Sequence, residues 1–238
     1  MPPQAAGIAV VIPTFNEAES IARVVGELPR AVVDRVIVAD GGSADGTPEH
    51  ARNAGAEVIA VGRGYGLACL AGARAAADGD IVVFMDGDGA DDPDAIAALV
   101  DPIRAGSYDF VIASRARGQR EPGSMSAHQL LAGLVAGWLT RLLYGVRYTD
   151  MCALRAIRRD TLLKLGMREL TYGWNLEMQM RAARAGLRVL EVPVSYRRRL
   201  GGESKVAGSL RGSIKAGARI VTTFARVALE PIYNRATS

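Results

Sequence analysis

Short apolar runs rich in Val and Ile alternate with stretches of helical periodicity along the first 115 residues. We expect the apolar runs to form buried strands, at residues 7–12, 36–38, 58–61, 81–85 and 110–112. Apolar side chains recur at helical spacing between them, which predicts helices at 21–28, 47–54, 66–77 and 93–105. We expect Asn16 to cap the first of these helices and Pro29 to end it. This alternation predicts an α/β fold with a mostly parallel sheet, helices on both faces and ligands at the carboxyl ends of the strands.

The pattern changes after residue 115. The basic, turn-rich segment 115–124 predicts a loop, and helices are expected at 126–144 and at 174–185, where Gly186 ends the second. A further strand is expected at 187–196. The last segment, 209–229, predicts a basic amphipathic helix. Its two faces would carry apolar Ile214, Ala218, Val221, Ala225 and Ala228, and polar Arg211, Lys215, Arg219, Thr222 and Arg226.

Composition narrows the class of protein. At 238 residues and 49% hydrophobic content, the chain can bury one large core, and its 5% aromatic content indicates a core of aliphatic side chains. The two cysteines and two histidines lack metal-ligand spacing, which favours a reduced cytosolic setting and no zinc. The longest apolar stretch, 130–139, is shorter than a membrane span requires, so we expect a chain that does not cross a membrane.

Charge is divided unevenly along the chain. Residues 1–110 hold 7 basic and 17 acidic side chains, residues 111–180 hold 10 and 5, and residues 181–238 hold 12 and 3. The first part is therefore suited to bind a cation, and the last part is suited to bind phosphates or an acidic lipid surface. Nucleic acid is not expected as a partner, because the basic region lacks a recognisable binding motif and interleaved aromatic side chains.

Four aspartates follow the strand predicted at 81–85. Asp86 and Asp88 flank one glycine, and Asp91 and Asp92 come next. Carboxylates this close repel one another unless a cation lies between them, and Mg²⁺ or Mn²⁺ prefers such oxygen ligands. Mg²⁺ usually keeps positions for substrate phosphate, so we expect a metal-bound diphosphate here. The alternative is a helix entry with Asp92 as cap and Pro93 at the first helical position, which leaves Asp86 and Asp88 unexplained.

A second polar cluster, 40–47, follows the strand at 36–38. Gly41 and Gly42 allow the backbone to turn sharply and approach a ligand, and Asp40 can accept a hydrogen bond from a ring N–H or a ribose hydroxyl. The alternative is an ordinary turn that leads into the next helix.

Three motifs at strand ends occur in a defined order: Pro-Thr-Phe-Asn-Glu at 13–17, Asp-Gly-Gly-Ser-Ala-Asp-Gly-Thr at 40–47 and Met-Asp-Gly-Asp at 85–88. Together they resemble the family 2 nucleotide-sugar glycosyltransferases with the GT-A fold, and especially the dolichyl- or polyprenyl-phosphate mannosyl- and glucosyltransferases. Supporting motifs are Arg-Gly-Tyr-Gly at 63–66, Ala-Ser-Arg at 113–115 and Arg-Leu-Gly-Gly-Glu-Ser-Lys at 199–205. The resemblance extends from about residue 8 to 210.

The resemblance implies roles for individual residues. It places Asp86 and Asp88 at the sugar, the metal and the diphosphate. The family often has Gln where this chain has Ala90, and Asp91 or water could supply the missing oxygen. It also implies a nucleotide pocket with Asp40 at the base, and phosphate contacts. The nucleotide residues are Pro13, Asn16, Glu17, Asp40 and Gly41, which replaces a common Asp, and the phosphate residues are Arg115, Arg199, Ser204 and Lys205. The glycine-rich segment 62–66 is only loosely similar to a dinucleotide loop, so we expect Arg63 within it to lie near a phosphate.

These roles imply a GT-A-like domain at 1–208, with a nucleotide-sugar half at 1–115 and an acceptor half at 116–208, and a basic extension at 209–238. We expect an inverting, Mg²⁺- or Mn²⁺-dependent transfer of a sugar from a UDP- or GDP-sugar to a polyprenyl phosphate at the cytosolic membrane face. The terminal helix would then lie on an anionic membrane, pack on its own domain or form a homodimer.

Two other functions share the same core. A hydroxyl acceptor would need a carboxylate base, for which Glu177 or Asp150 is the candidate, although Glu177 is also spaced to pair with Arg181. A nucleotidyltransferase would need a glycine-rich phosphate loop after the first strand, where this chain has Pro-Thr-Phe-Asn-Glu, and is therefore disfavoured.

Overall fold

The computed structural model describes residues 7–77, 80–201 and 210–230, without the side chains of 127, 128 and 210–217. Seven strands lie in one sheet within these residues. They are β1 (Ile8–Thr14), β2 (Arg35–Asp40), β3 (Glu57–Ala60), β4 (Ile81–Phe84), β5 (Phe110–Ser114), β6 (Arg155–Arg158) and β7 (Val189–Pro193).

The strand order is β3-β2-β1-β4-β6-β5-β7. Strand β6 runs antiparallel to β4 and β5, and every other pairing is parallel. The predicted mostly parallel α/β sheet is therefore confirmed. Because β2, β1 and β4 are parallel neighbours, their carboxyl ends meet at one edge, where the loops that follow them lie side by side.

Eight α-helices are described, and a 3₁₀ turn, Pro93–Ala95, precedes the fourth. They are α1 (Ile21–Glu27), α2 (Thr47–Asn53), α3 (Tyr65–Ala75), α4 (Ile96–Arg104), α5 (Ala127–Tyr144), α6 (Arg159–Lys164), α7 (Trp174–Arg184) and α8 (Leu210–Leu229). As predicted, Gly186 follows α7 in the left-handed conformation, at φ 68°.

The predicted cap of the first helix is wrong. Helix α1 begins after Ser20, whereas Asn16 lies four residues earlier in the left-handed region, at φ 52°. The Asn16 side-chain oxygen accepts a hydrogen bond from the Ala44 N–H, 3.1 Å away, so Asn16 joins two loops instead of capping a helix.

Strand β6 and helix α6 have no counterpart in the sequence prediction. The strand consists of Arg-Ala-Ile-Arg, which shows neither an apolar run nor a clear alternation. Arg155 is fully buried within it, and its guanidinium donates to the carbonyl oxygens of Cys152 and Asn175. The strand is held by its position between β4 and β5, which no local pattern reveals.

The core lies between the sheet and the helices on its two faces. All residues of β1, β4 and β5 are buried, and α3 packs closely on β1. A Cβ atom at Gly72 would lie 2.3 Å from Val11 Cγ1, so this contact between helix and strand needs glycine. Because α3 follows the carboxyl end of β3, its start, with Tyr65, lies at the same edge of the sheet as the strand ends.

Helix α8 packs on α7. Among its described side chains, 218–229, Thr223 and Val227 are buried. Of the predicted apolar face, Ala228 is partly buried, Ala218, Val221 and Ala225 are exposed, and Ile214 lies outside the described side chains. Within residues 218–229, the side of the helix that contacts the domain therefore shares only Ala228 with the predicted apolar face. Among the helices in the described part of the chain, none combines the length and the apolar character needed to cross a bilayer.

Candidate active site

The acidic loop, residues 86–92, leaves the carboxyl end of β4. The Asp86 N–H donates to Asp91 Oδ2 at 3.1 Å, and the Ala90 N–H donates to Asp88 Oδ1 at 3.0 Å, so these carboxylates also shape the loop. Asp92 accepts from the Asp94 N–H and caps the 3₁₀ turn that Pro93 begins. The helix-entry interpretation thus accounts for Asp92, and Asp86, Asp88 and Asp91 remain as the clustered carboxylates.

Electrostatic repulsion within this loop is strong. Burial and the charges of Asp91 and Asp88 raise the pKa of Asp86 to about 8. Burial and the charge of Asp88 raise the pKa of Asp91 to about 6. A cation next to these carboxylates would favour their charged forms and lower both pKa values. The loop is therefore electrostatically suited to a cation.

The donor atoms suit a hard divalent cation whose remaining ligands are water or substrate phosphate. Within residues 7–77, 80–201 and 210–230, no three His, Cys, Asp or Glu side chains form an arrangement that could hold a metal ion by themselves. The three aspartates predicted as ligands, Asp86, Asp88 and Asp91, would therefore need further ligands from water or from a substrate. Mg²⁺ and Mn²⁺ fit this arrangement, because they take oxygen ligands and can complete their coordination with diphosphate and water.

The loops after β1 and β2 are joined by hydrogen bonds. The Asn16 N–H donates to Ser43 Oγ at 2.8 Å, and the Glu17 N–H donates to Thr47 Oγ1 at 2.8 Å. Pro13, in β1, is buried. The structure thus brings three predicted nucleotide-binding residues, Pro13, Asn16 and Glu17, against the loop that contains Asp40 and Gly41.

Asp40 is already fully engaged by protein donors. Its two carboxylate oxygens accept from the N–H groups of Gly42 and Ser43 and from the hydroxyls of Thr14 and Ser43. It is 4% exposed. Gly41 lies against β1, since its N–H donates to the Thr14 carbonyl oxygen. Asp40 therefore shapes the turn, and the backbone around Gly41 forms the adjacent surface.

Arg63 and Tyr65 extend this surface from the other side. The Arg63 guanidinium lies over the Phe15 ring, 4.2 Å from its centroid. Tyr65, which the sequence analysis did not select, lies with its hydroxyl buried beside Asp86. Tyr65 belongs to the motif at 63–66, but the motif does not reveal its proximity to Asp86, which is a product of the fold.

Arg115 and Asp150 form a buried ion pair. Arg115 Nε and Nη2 donate to the two oxygens of Asp150 at 2.8 and 2.7 Å, and the Arg115 N–H donates to one of them as well. The guanidinium also lies over the Tyr196 ring, 4.8 Å from its centroid. A phosphate-binding candidate is thus paired with one of the two candidate bases, which is a bidentate, well-oriented arrangement.

A basic strap, residues 196–201, crosses the acidic loop. Arg199 Nη2 lies 3.2 Å from Asp88 Oδ2 and 3.8 Å from Glu17 Oε1. The structure therefore brings Arg199 to the acidic loop, as expected for a residue near the diphosphate. Ser204 and Lys205, which follow the strap, lie outside the described residues.

Comparison with known proteins identifies the family. The model of the family described as glycosyl transferase family 2 matches residues 9–166. The chain belongs to glycosyl transferase family 2. Among relatives of this glycosyltransferase, an uncharacterized glycosyltransferase of Mycobacterium tuberculosis is 38% identical over 88% of the chain and 94% of that protein. An undecaprenyl-phosphate mannosyltransferase of Micrococcus luteus is 34% identical over 86% of the chain and 89% of that protein.

Solved structures support the fold of this glycosyltransferase. Glucosyl-3-phosphoglycerate synthase from Mycobacterium tuberculosis, solved with Mn²⁺, UDP-glucose and phosphoglyceric acid, matches with a TM-score of 0.75 at 24% identity. The match covers 95% of this chain and 81% of that one. The predicted GT-A-like α/β architecture is thus confirmed.

Glu177 of this glycosyltransferase is fully buried and is bound by four donors. It accepts from the N–H groups of Arg168 and Glu169, at 2.9 and 2.6 Å, and from the side chains of Arg181 and Arg226, at 2.9 and 3.0 Å. None of these contacts involves the acidic loop. Glu177 thus joins α7, the 168–169 segment and α8, which is the geometry of a structural carboxylate.

We expect Glu177→Gln to lower stability more than activity. The change removes the charge that two arginines share, which should cost about 2–4 kcal/mol and lower Tm by roughly 5–10 °C. Sugar transfer measured well below Tm should remain within about threefold, since the carboxylate is held away from the chemistry. Glu230→Gln is the matched control, because Glu230 pairs with Arg181 in the same network. Near-abolition of transfer at unchanged Tm would instead assign Glu177 as the base.

Proposed function

We propose that this enzyme transfers a sugar from a nucleotide-sugar donor to a polyprenyl phosphate, with inversion and with help from Mg²⁺ or Mn²⁺. One observation carries the choice of acceptor. Asp150 and Glu177, the two carboxylates considered as bases for a hydroxyl acceptor, are both held by arginines. A lipid phosphate is already an anionic nucleophile and needs no base, so this arrangement favours it.

The donor half would be built from the edge of the sheet at 1–115. Pro13, Asn16, Glu17, Gly41 and the Asp40 turn would surround the nucleotide, with Arg63 near its phosphates. Asp88, with Asp86 and Asp91 beside it, would hold the metal together with the diphosphate. When bound, Mg²⁺ or Mn²⁺ would neutralise the charge that develops on the departing nucleoside diphosphate. The structural neighbour solved with Mn²⁺ and UDP-glucose shows that this fold can carry such a pair.

The acceptor half, 116–208, together with Arg115 would supply positive charge. Arg199, with Ser204 and Lys205 after it, would hold the acceptor phosphate and the leaving diphosphate. An oxygen of the lipid phosphate would form a bond to the anomeric carbon as the bond from that carbon to the diphosphate oxygen breaks. A single displacement of this kind inverts the anomeric centre and needs no nucleophilic side chain. The named activity of the Micrococcus luteus relative supports this acceptor.

Helix α5 supports contact with a lipid surface. Its exposed side chains form an apolar stripe, and Trp138 and Leu142 are 62% and 68% exposed. Large exposed apolar patches mark interaction sites, and a helix with Trp and Leu on one face suits the membrane interface. Arg141, between them, is exposed as well and suits an anionic lipid. We therefore place the enzyme on the cytosolic membrane face, where its acceptor lies. The stripe comprises Leu131, Leu134, Val135, Trp138, Leu142 and Leu143.

A donor and acceptor panel tests this function. Purified protein would be incubated with UDP- and GDP-sugars, Mn²⁺ or Mg²⁺, and either a short-chain polyprenyl phosphate, phosphoglyceric acid or buffer alone. We expect sugar transfer to the lipid phosphate with one donor, complete loss with EDTA, and a product of inverted anomeric configuration by NMR. Sugar transfer to phosphoglyceric acid, and not to the lipid, would show that the acceptor is a soluble hydroxyl compound. Consumption of a sugar 1-phosphate and a nucleoside triphosphate would indicate a nucleotidyltransferase.

A further inference from the structure

Backbone hydrogen bonds join the basic strap to the acidic loop. The Arg197 N–H donates to the Ala90 carbonyl oxygen, and the Leu200 N–H donates to that of Asp88, each at 2.9 Å. Leu200 covers Gly89, where a Cβ atom would lie 2.4 Å from Leu200 Cδ1. The strap therefore has one register on the loop, and this register sets which of its arginines lies next to Asp88.

Arg199 is the arginine in that position. Its guanidinium lies between the carboxylates of Asp88 and Glu17, and its side chain is 27% exposed. Among the described residues its Nε is buried without a hydrogen-bond partner. A buried donor that is left unpaired is unfavourable, so the guanidinium is held by charge more than by well-formed hydrogen bonds. An ion pair of this kind can be replaced by a stronger contact between the guanidinium and another anion.

Arg197 provides a contrast on the same strap. It pairs with Glu27 at 3.2 Å and with Asp92 at 3.7 Å, and neither partner belongs to the carboxylates that would hold a metal. Arg197 thus anchors the strap to α1 and to the cap of the 3₁₀ turn, while Arg199 occupies the acidic loop. Arg198, the third arginine of the strap, donates to the Pro122 carbonyl oxygen. Arg197 and Arg199 can be tested separately.

We propose that Arg199 and the divalent cation compete for Asp88, so that metal binding releases the guanidinium to the phosphates of the substrates. This inference rests on the proposed metal-dependent transfer. A guanidinium and a divalent cation cannot both lie against the same carboxylate oxygen without repulsion. Because the released Arg199 stays on the strap, it remains close to the diphosphate that the bound metal would hold, where a planar guanidinium binds well. The exchange links metal binding to the formation of the phosphate site.

Binding of Mn²⁺ alone tests the competition. Free Mn²⁺ would be followed by electron paramagnetic resonance in titrations of the full chain without nucleotide or acceptor. We expect Arg199→Met to lower the Kd for Mn²⁺ by about five- to fiftyfold, a usual range for coupling between two sites. Arg199→Lys keeps the charge and should stay within about twofold of wild type. Arg197→Met removes an equal charge from the same strap and should also stay within about twofold.

Each other outcome overturns the inference. An unchanged or higher Kd in Arg199→Met, or no detectable Mn²⁺ binding by either protein, would show that Arg199 does not compete with the metal. An equal decrease of the Kd for Mn²⁺ in Arg197→Met would show that the effect comes from the overall charge of the strap. These results are separate from a failure of the proposed function, which EDTA-resistant transfer would reveal. Circular dichroism spectra and Tm would verify that the variants fold, as expected for a partly exposed side chain on a loop.

Discussion

Replacing Asp88 by Asn should lower the rate of sugar transfer by at least about a thousandfold and leave the fold intact. Asn keeps an oxygen that can accept from the Ala90 N–H, which Asp88 Oδ1 binds at 3.0 Å, so the loop should retain its shape. The lost charge is the one that a divalent cation would use. The leaving diphosphate would then lack its counter-charge, and the loss should fall mainly on kcat with a weaker apparent affinity for Mn²⁺.

Asp92→Asn is the matched control, because it makes the same change four residues later in the same loop. Asp92 caps the 3₁₀ turn, and Asn is an equally good cap, so its transfer rate should stay within about threefold of wild type. Both proteins would be assayed over a range of Mn²⁺ concentrations, with Tm measured in parallel. Transfer by Asp88→Asn within tenfold of wild type would remove Asp88 from the metal site.

Two glutamate substitutions on the exposed face of α5 should abolish membrane binding without affecting the transfer reaction itself. We expect the double variant Trp138→Glu/Leu142→Glu to weaken binding to vesicles that contain anionic lipid by more than about a hundredfold. Burial of the two apolar side chains in the membrane interface should contribute about 3–4 kcal/mol to the free energy of binding. Transfer to a polyprenyl phosphate embedded in the vesicles should fall in parallel. Transfer to a short-chain acceptor in solution should stay within about twofold, because both side chains point away from the core.

Ala31→Glu/Ala98→Glu is the matched control, because it adds the same two charges at exposed positions away from α5. Vesicle co-sedimentation with this variant should equal that of wild type. Unchanged vesicle binding by the α5 variant would show that the stripe does not contact lipid. Conversion of a dimer into a monomer by the α5 variant, seen by light scattering, would instead make the stripe a homodimer interface.

Most of the fold was predictable because its elements are local patterns. The parallel strands are apolar runs, and the helices between them have regular apolar spacing, so each element is specified by its own residues. Strand β6 and helix α6 were missed because Arg155–Arg158 has no such pattern and is a strand only through its neighbours. The cap of α1 was misplaced for a similar reason, since Asn16 bonds to a loop 28 residues away.

The candidate site was also predictable only where it depends on local patterns. The order of motifs at strand ends placed the acidic loop and the nucleotide loops at one edge of the sheet, since parallel strands bring their carboxyl ends together. What each charged group binds depended on contacts between distant segments. Arg115 pairs with Asp150, 35 residues on, and Glu177 pairs with Arg226, 49 residues on. Opposite charges are plentiful in both halves, so the sequence does not select among these pairs.

The sequence by itself determined the α/β alternation, the family and the acidic loop, because these depend on residues that are neighbours along the chain. Only the tertiary structure decided that Asp150 and Glu177 are held by arginines, that Arg199 lies on Asp88, and that α5 exposes its apolar stripe. The physical reason is that charge pairing and burial depend on distance in space, which the packing of helices on the sheet sets after the local elements have formed.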